Sequence, residues 1–354
     1  MNLSQVEKIA EAVLYEGYML YPYRISSIKN RQRFNFGVLY PESYCERQLG
    51  SDASSMRTEC LVRSAPDTRL TVKVRFLQIV RRSVGRLRNP GSDEPEGMTP
   101  DFELVERLEL AGRVHHPWQE AFERELSYTA LDPASFCSSP IMTFKFPEQR
   151  SFEYLCDEQG VARGVIARDW EELNGSVRLS SESLRDGIVK VTVRVDNRNL
   201  TDTYCPSVLA DREAILPFSL ASAHTILGVE DGEFVSLLDP PENVKDLAAR
   251  CSNAGTWPVL AGERGEAVLS SPIILYDYPQ IAPESAGNLF DSTEIDEILS
   301  LRIMTLTEDE KREVRQSDDR AREILERTES MPEEQLMKLH GVLRGLAPHV
   351  EDTR

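Results

Sequence analysis

The middle of the chain constrains its fold most strongly, because apolar and polar residues alternate there with a period of two. Apolar side chains occupy every second position in 142–146 and in 152–156. An Asp-Gly pair at 186–187 precedes four valines at alternate positions in 189–195. A period of two is typical of half-buried strands, and short strands separated by turn residues favour antiparallel pairing. We therefore expect a core that is rich in antiparallel β-structure.

Helical signals lie at both ends of this core. Ser4 and Glu7 form an S-x-x-E capping box ahead of apolar residues at helical spacing, which predicts a helix over 4–15. Beyond residue 290, three acceptor-x-x-Glu starts predict three more helices. Further elements are expected as strands at 70–76, 161–168, 234–238 and 273–276, and as short helices at 118–126, which follows Pro117, and at 244–250.

These patterns predict an α+β fold with a mostly antiparallel, β-sandwich-like core, an N-terminal helix and a C-terminal helical tail. A stretch rich in Pro, Gly and acidic residues predicts an exposed linker. We divide the chain into an N-terminal helix plus an aromatic and basic α+β segment (1–88), the linker (89–100), an antiparallel β-rich core (101–290) and an acidic helical tail (291–354).

Charge is unevenly distributed along the sequence. The formal net charge is −18, and the tail 291–354 holds 17 acidic against 10 basic residues. Residues 63–88 instead contain eight Lys and Arg and one acidic residue. The acidic total disfavours nucleic acid as a partner, since phosphate binding depends on clustered cations. We expect 63–88 to face an anionic protein surface, the acidic tail of the same chain, or solvent.

Membrane insertion and disulfide bonding are both disfavoured. No apolar run reaches the roughly 18 residues that a membrane-spanning helix needs, and charged residues interrupt the N-terminal apolar positions. The six cysteines lie far apart without a C-x-x-C pair, which is typical of reduced thiols. Cys251, which follows the expected helix 244–250, is predicted to be an unreactive, buried thiol. We therefore expect a cytoplasmic protein.

Familiar catalytic and nucleotide-binding motifs do not occur. The sequence contains no G-x-G-x-x-G, no P-loop, no G-x-S-x-G and no H-E-x-x-H. We predict no catalytic, cofactor-binding or metal-ligating residue, and no cofactor. Three alternatives stay open: a nickel or zinc site at His115 and His116 completed by Cys137, Cys156 or an acid; a catalytic base at His224 near Ser222; and an active site around Tyr276, Asp277, Tyr278 and Glu284.

Residues 276–287 form the most unusual segment. Pro279 and Pro283 hold the backbone extended, so rings and carboxylates are displayed along a stiff stretch that suits docking to another protein. With two arginines from the basic segments, the predicted partner-binding residues are Tyr276, Asp277, Tyr278, Glu284, Arg24 and Arg75.

At these segments the chain resembles a family of uncharacterised accessory proteins found with actinobacterial-type, high-affinity nickel-iron uptake hydrogenases. The resembling stretches are LYPYR (20–24), KN (29–30), FGV (36–38), FVSLLDPP (234–241), GTWPV (255–259), SSPIILYDYPQIAPES (270–285) and FDSTEIDEIL (290–299). They cover about a third of the chain, and the middle matches in its β pattern alone.

The resemblance implies a cytoplasmic protein that assists assembly, maturation or electron handling of the hydrogenase. Its partner would be a hydrogenase subunit or a maturation factor. The family supplies no catalytic residues to carry over. Because the chain lacks C-x-x-C pairs for an iron–sulfur cluster of its own, scaffolding is favoured over direct electron transfer.

Overall fold

A computed structural model describes residues 3–14, 36–48, 50, 52–90, 99–133, 140–199 and 211–280, with isolated positions between 306 and 330. Within these residues the chain is mostly antiparallel β-sheet with few helices, a β-rich α+β fold. The helices are α1 (Ser4–Leu14), α2 (Glu42–Arg47), α3 (Arg212–Ile215) and α4 (Lys245–Ala248), and a 3-10 turn follows α3 at Leu216–Phe218.

Thirteen strands occur among the described residues. They are β1 (Ser55–Leu87), β2 (Phe102–Leu104), β3 (Leu108–Leu110), β4 (Arg113–His115), β5 (Trp118–Leu131), β6 (Ile141–Phe146), β7 (Gln149–Cys156), β8 (Ala162–Trp170), β9 (Leu173–Ser183), β10 (Ile188–Asn197), β11 (Leu220–Val235), β12 (Trp257–Ala261) and β13 (Ala267–Ser271). The strands predicted at 70–76, 142–146, 152–156, 161–168 and 189–195 are confirmed within β1, β6, β7, β8 and β10.

Strand β1 organises the sheet, because its 33 residues pair with five other strands. Its first part pairs with β10, its middle lies between β11 and β5, and its end pairs with β8 and β2. The main strand order is β12-β13-β11-β1-β10-β9-β6, and all pairings are antiparallel. Strands β3 and β4 form a separate hairpin.

The main core lies on one face of this sheet. The alternating apolar side chains of β1 pack there against those of β9, β10 and β11. Phe76 contacts the rings of Phe144 and Phe146 on β6, with centroids 5.8 and 6.0 Å apart. Gly175 on β9 makes this packing possible, because a Cβ there would lie 2.0 Å from the Phe144 ring.

Helix α1 covers the opposite face near β11, β12 and β13. Its buried residues Val6, Ile9 and Val13 join Ile226 and Leu269 in a second apolar cluster. The predicted N-terminal helix is therefore confirmed up to Leu14, and Tyr15 lies outside the described residues.

Two predicted elements are wrong. The expected helix at 118–126 is part of β5, which pairs with β1 from Leu70 to Arg82. Cross-strand ion pairs, such as Arg82 with Glu120 at 3.3 Å, and the open edge of β1 outweigh local helix propensity there. The expected strand at 273–276 is a loop, because Pro272 has no N–H to continue the β13 ladder.

Other short elements agree in part. The strand expected at 234–238 ends with β11 at Val235, and the helix expected at 244–250 is the short α4. Asp186 and Gly187 have φ of 55° and 72°, as a tight hairpin turn between β9 and β10 requires.

The boundary at 89–100 does not separate two sheets. Strand β1 lies in the segment 1–88, yet it pairs with strands from the segment 101–290. In the tail 291–354, the positions that the structure describes are helical from Glu308 onward, and the rest lies outside the described residues. The three-helix arrangement of the tail stays a prediction. No described helix is long and apolar enough to cross a membrane.

Candidate functional site

The loop after β13 is tied to the edge of the sheet at β12. The Asp277 carboxylate accepts hydrogen bonds from the Ser236 hydroxyl (2.5 Å) and from the main-chain N–H of Leu260 (2.8 Å). The N–H of Tyr278 donates to the carbonyl of Leu260 at 2.6 Å. These bonds occupy both polar backbone groups of Leu260, so the loop holds a fixed path along β12.

Exposed apolar side chains collect around this edge. Of the nine large apolar residues that are exposed among the described residues, five lie on β12, on this loop or just after β11. Tyr276 is the most exposed, at 88%. We call these five the β12 surface: Leu238, Trp257, Ile274, Tyr276 and Tyr278. A concentration of exposed apolar groups with two tyrosines and a tryptophan is typical of a protein-binding surface.

Tyr278 adds a conformational feature to the β12 surface. Its φ is 57°, in the left-handed region that side chains rarely adopt. Burial raises the pKa of its phenol, and the neighbouring Asp277 and Glu233 carboxylates raise it further. A tyrosine hydroxyl is protonated at neutral pH even with its ordinary pKa of about 10, so Tyr278 is a hydrogen-bond donor.

The structure brings the predicted partner-binding residues together only in part. Tyr276 and Tyr278 are on the β12 surface, whereas the Asp277 carboxylate is used within the chain. Glu284 and Arg24 lie outside the described residues. Tyr276 is 88% exposed, so its ring does not lie in an enclosed pocket, and the alternative active site that includes Glu284 stays a prediction. Sequence reasoning missed Leu238, Trp257 and Ile274, which are separated in the chain from the 276–287 segment or were read as a strand.

Arg75 lies buried on β1, away from solvent. Its guanidinium contacts the carboxylates of Glu123 (3.2 Å) and Glu125 (3.6 Å) on β5, and it donates to the carbonyl of Glu7 at 3.5 Å. Lys73 contacts Glu7 (2.6 Å) and Glu125 (3.3 Å) in the same cluster.

Several cations of the basic segment 63–88 therefore find their counter-charges on β5, on helix α1 and between β8 and β9. Besides Arg75 and Lys73, Arg82 contacts Glu120 and Arg81 contacts Glu171. At the described tail positions, Lys311 and Arg315 instead contact Glu329 at 3.1 and 2.5 Å.

His224 is fully buried on β11. Its Nδ1 lies 2.9 Å from the carbonyl of Ser222, and its Nε2 has no hydrogen-bond partner among the described residues. The Ser222 hydroxyl donates to the carbonyl of Val13 instead. Burial lowers the His224 pKa to about 4, so the ring is neutral at pH 7. Without solvent access or a contact to a nucleophile, this pair has no geometry for catalysis.

The two adjacent histidines have different surroundings. His115 is half-buried at the end of β4, and burial lowers its pKa, with Arg82 adding to the effect. His116 Nδ1 lies 3.2 Å from the carbonyl of Glu106. Among the described residues no group of three His, Cys, Asp or Glu is arranged to hold a metal ion, and Cys137 lies outside them.

Cys251 is a partly buried thiol after α4, as expected. Burial raises its pKa to about 11, with the Glu59 carboxylate contributing. The thiolate is therefore scarce at neutral pH, which argues against a nucleophilic role.

A polar cavity of about 360 Å³ lies on the outer face of β1, β10 and β9, remote in strand order from β12. Its lining combines basic, acidic and hydroxyl side chains: Arg57, Glu59, Arg178, Ser180, Ser181, Glu182, Lys190, Thr192 and Arg194. Sequence reasoning missed this site, because its residues come from three strands whose register the alternation of residues does not reveal.

Comparison with known proteins assigns no family. No protein-family model matches the chain, and no curated protein matches it significantly. The function is therefore argued from the two surfaces above and from the sequence resemblance.

Proposed function

We propose that this protein is an accessory protein that acts through protein–protein contacts in assembly or maturation. The observation that carries the proposal is the β12 surface, where three of the five exposed apolar side chains lie on a loop that is anchored by hydrogen bonds and the other two lie on β12 and just after β11. Tyrosine and tryptophan contribute most to interfaces when they are presented rigidly, because little conformational entropy is then lost on binding.

The contact would be made by side chains and not by addition of a strand. Leu260 has its N–H bonded to Asp277 and its carbonyl bonded to the Tyr278 N–H. Pro258 has no N–H to offer a neighbouring strand. The edge of β12 is thus protected against pairing, while Tyr276 and Ile274 project into solvent at 88% and 72% exposure.

The class of partner follows from the sequence resemblance. The loop that carries Tyr276 belongs to a resembling stretch, as do Trp257 and Leu238. We infer that the β12 surface docks onto a nickel–iron hydrogenase subunit or one of its maturation factors, in the cytoplasm. The proposal includes a sandwich-like core, supported by the packing of Phe76 on β1 against the two rings of β6.

The test is capture of a stated partner by the full chain. The tagged protein is purified from its native cells, and hydrogenase subunits and maturation factors are quantified by mass spectrometry. The double variant Tyr276→Ser with Ile274→Ser is expected to lose recovery of the partner by about tenfold or more, as removal of interface hot spots does.

A matched control uses exposed apolar residues elsewhere. Tyr154→Ser with Leu104→Ser removes a tyrosine and an aliphatic side chain, 43% and 65% exposed, from β7 and β2. This control should recover the partner as the wild type does. Recovery of no hydrogenase component by the wild type, or equal loss in both double variants, would overturn the proposal.

A further inference from the structure

Three arginines lie side by side on the outer face of the sheet. Arg57 of β1 is directly opposite Arg194 of β10, and Arg194 is directly opposite Arg178 of β9. Facing residues on antiparallel strands have Cβ atoms about 4.5–5.5 Å apart, and like charges placed there destabilise the sheet. This row, which we call the arginine row, therefore carries an electrostatic cost that calls for a compensating anion.

The chain compensates this cost incompletely. Arg194 contacts the Asp196 carboxylate at 2.7 Å. Arg57 donates to the carbonyl and hydroxyl oxygens of Ser252 at 2.9 and 2.7 Å, and neither oxygen is charged. The Nε of Arg178 is shielded from solvent and has no hydrogen-bond partner among the described residues. Two of the three guanidinium groups thus lack a carboxylate within the part of the chain that the structure describes.

The cavity of about 360 Å³ lies over the arginine row. This volume is within the range of small-molecule sites, about 300–1,000 Å³. Next to the row, Thr192 and Ser180 face each other on β10 and β9, so two hydroxyl donors adjoin the guanidinium groups. Arginine provides only donors and binds phosphate through paired N–H groups, so this end of the cavity is suited to an oxyanion.

The charge of the row favours a phosphate monoester over a single carboxylate. A phosphate monoester carries about −1.5 to −2 at pH 7, whereas a carboxylate carries one charge. Only the larger charge matches the two guanidinium groups, Arg57 and Arg178, that have no carboxylate partner.

Two carboxylates of the lining can accept from ligand hydroxyl groups. Glu59 is directly opposite Thr192, in the row next to the arginines, and Glu182 is directly opposite Lys190, one row further on. Glu182 contacts Lys190 at 2.8 Å, and Glu59 accepts a hydrogen bond from the N–H of Ser252 at 2.8 Å. Each carboxylate has further lone pairs to accept from a ligand. The lining that the structure describes has no aromatic ring on which a nucleobase would stack.

We propose that this cavity binds a small phosphorylated polyol, such as a sugar phosphate. The phosphate lies on the arginine row, and the polyol extends past Thr192 and Ser180, where its hydroxyls donate to Glu59 and Glu182. This site is independent of the β12 surface and of the partner proposed for it.

The first test is isothermal titration of the full chain with defined probes. Glucose 6-phosphate, ribose 5-phosphate and glycerol 3-phosphate are compared with inorganic phosphate, glucose, AMP and citrate. At least one polyol phosphate should bind with 1:1 stoichiometry and about tenfold more tightly than inorganic phosphate, since charge-assisted hydrogen bonds to the carboxylates add to the phosphate contacts. The proposal would be overturned if none of the three polyol phosphates binds, or if AMP, citrate or inorganic phosphate binds more tightly than they do.

The second test assigns the binding to the arginine row. Arg178→Gln and Arg194→Gln should each weaken the polyol phosphate by about tenfold or more. Arg150→Gln is the matched control, because Arg150 lies on β7 and contacts Asp169, far from the cavity in strand order. Unchanged affinity in both row variants, or an equal loss in the control, contradicts the proposed site. Two row variants are used so that poor folding of one leaves the other to decide.

Discussion

The hydroxyl of Ser236 donates a 2.5 Å hydrogen bond to the carboxylate of Asp277, which joins the end of β11 to the loop after β13. The same hydroxyl oxygen accepts from the N–H groups of Leu238 and Asp239 at 3.2 and 2.9 Å. One serine therefore fixes two segments that carry residues of the β12 surface. The aromatic groups of this surface are held in place by polar contacts beneath them.

Replacing Asp277 should release this loop. In Asp277→Ala the Ser236 hydroxyl and the Leu260 N–H each lose an acceptor, and a hydrogen bond to a charged group contributes about 1.5–3 kcal/mol. We expect a lower midpoint of urea unfolding and faster amide exchange in 272–280. Asp239→Ala removes an exposed carboxylate nearby and is the control. Equal exchange in the two variants would show that Asp277 does not anchor the loop.

Replacing the buried Arg75 should destabilise the fold more than replacing an exposed arginine. In Arg75→Met, Glu123 and Glu125 lose the arginine that they share, while Glu125 keeps its contact with Lys73, and we expect a loss of about 1–3 kcal/mol in the free energy of unfolding. Arg150→Met breaks a pair in which the arginine side chain is 50% exposed, so its expected cost is below about 1 kcal/mol. Urea unfolding of both variants measures the difference, and equal costs would contradict the structural role of Arg75.

Packing at Gly175 can be tested by adding one methyl group. A Cβ there would meet the Phe144 ring at 2.0 Å, so Gly175→Ala should cost about 1–3 kcal/mol. Gly50→Ala is the control, because no atom lies within 4 Å of its added Cβ. Phe144→Leu in the Gly175→Ala background should recover part of the loss, and a double-mutant cycle from thermal unfolding measures this coupling. Strict additivity would show that the two residues do not interact.

The sequence predicts most of the sheet because alternation is a local property. Val191, Val193 and Val195 are buried on one face of β10, as their spacing indicates. The prediction of a helix at 118–126 depends on Pro117, which suits the first turn of a helix, and the acidic residues at 120, 123 and 125 suit either a helix or a strand. Their pairing with β1 depends on a partner far away in the sequence, which local propensity does not encode.

The two candidate sites are harder to predict. The cavity depends on the register between strands, and the β12 surface depends on the course of the loop after β13. Arg57, Arg178 and Arg194 are dispersed in the sequence and become neighbours only through the pairing of β1, β10 and β9. Pro279 and Pro283, which follow Tyr276, predict that its ring is displayed, and the ring is 88% exposed. The hydrogen bonds of the Asp277 carboxylate within the chain are not predictable from the local sequence, because its partners Ser236 and Leu260 lie elsewhere in the chain.

The buried His224 should make stability depend on pH. Its folded pKa is lowered to about 4, chiefly by burial and also by Arg75, against the opposing effects of the Ser222 carbonyl and Glu123. In the unfolded chain a histidine has a pKa of about 6.5. As pH falls from about 6.5 to about 4, the unfolded chain therefore binds a proton that the folded chain does not, and stability decreases.

Replacement of His224 removes this titration. Between about pH 7 and pH 5 the wild type should lose about 2 kcal/mol through His224, and His224→Gln should lack this part of the slope even if its stability at pH 7 is lower. His115→Gln is the comparison, because burial also lowers the pKa of this half-exposed ring but shields it less, so a smaller change in the same direction is expected. Urea unfolding across this range measures the slopes. A slope in His224→Gln as steep as in the wild type would show that the folded protein does not keep His224 neutral.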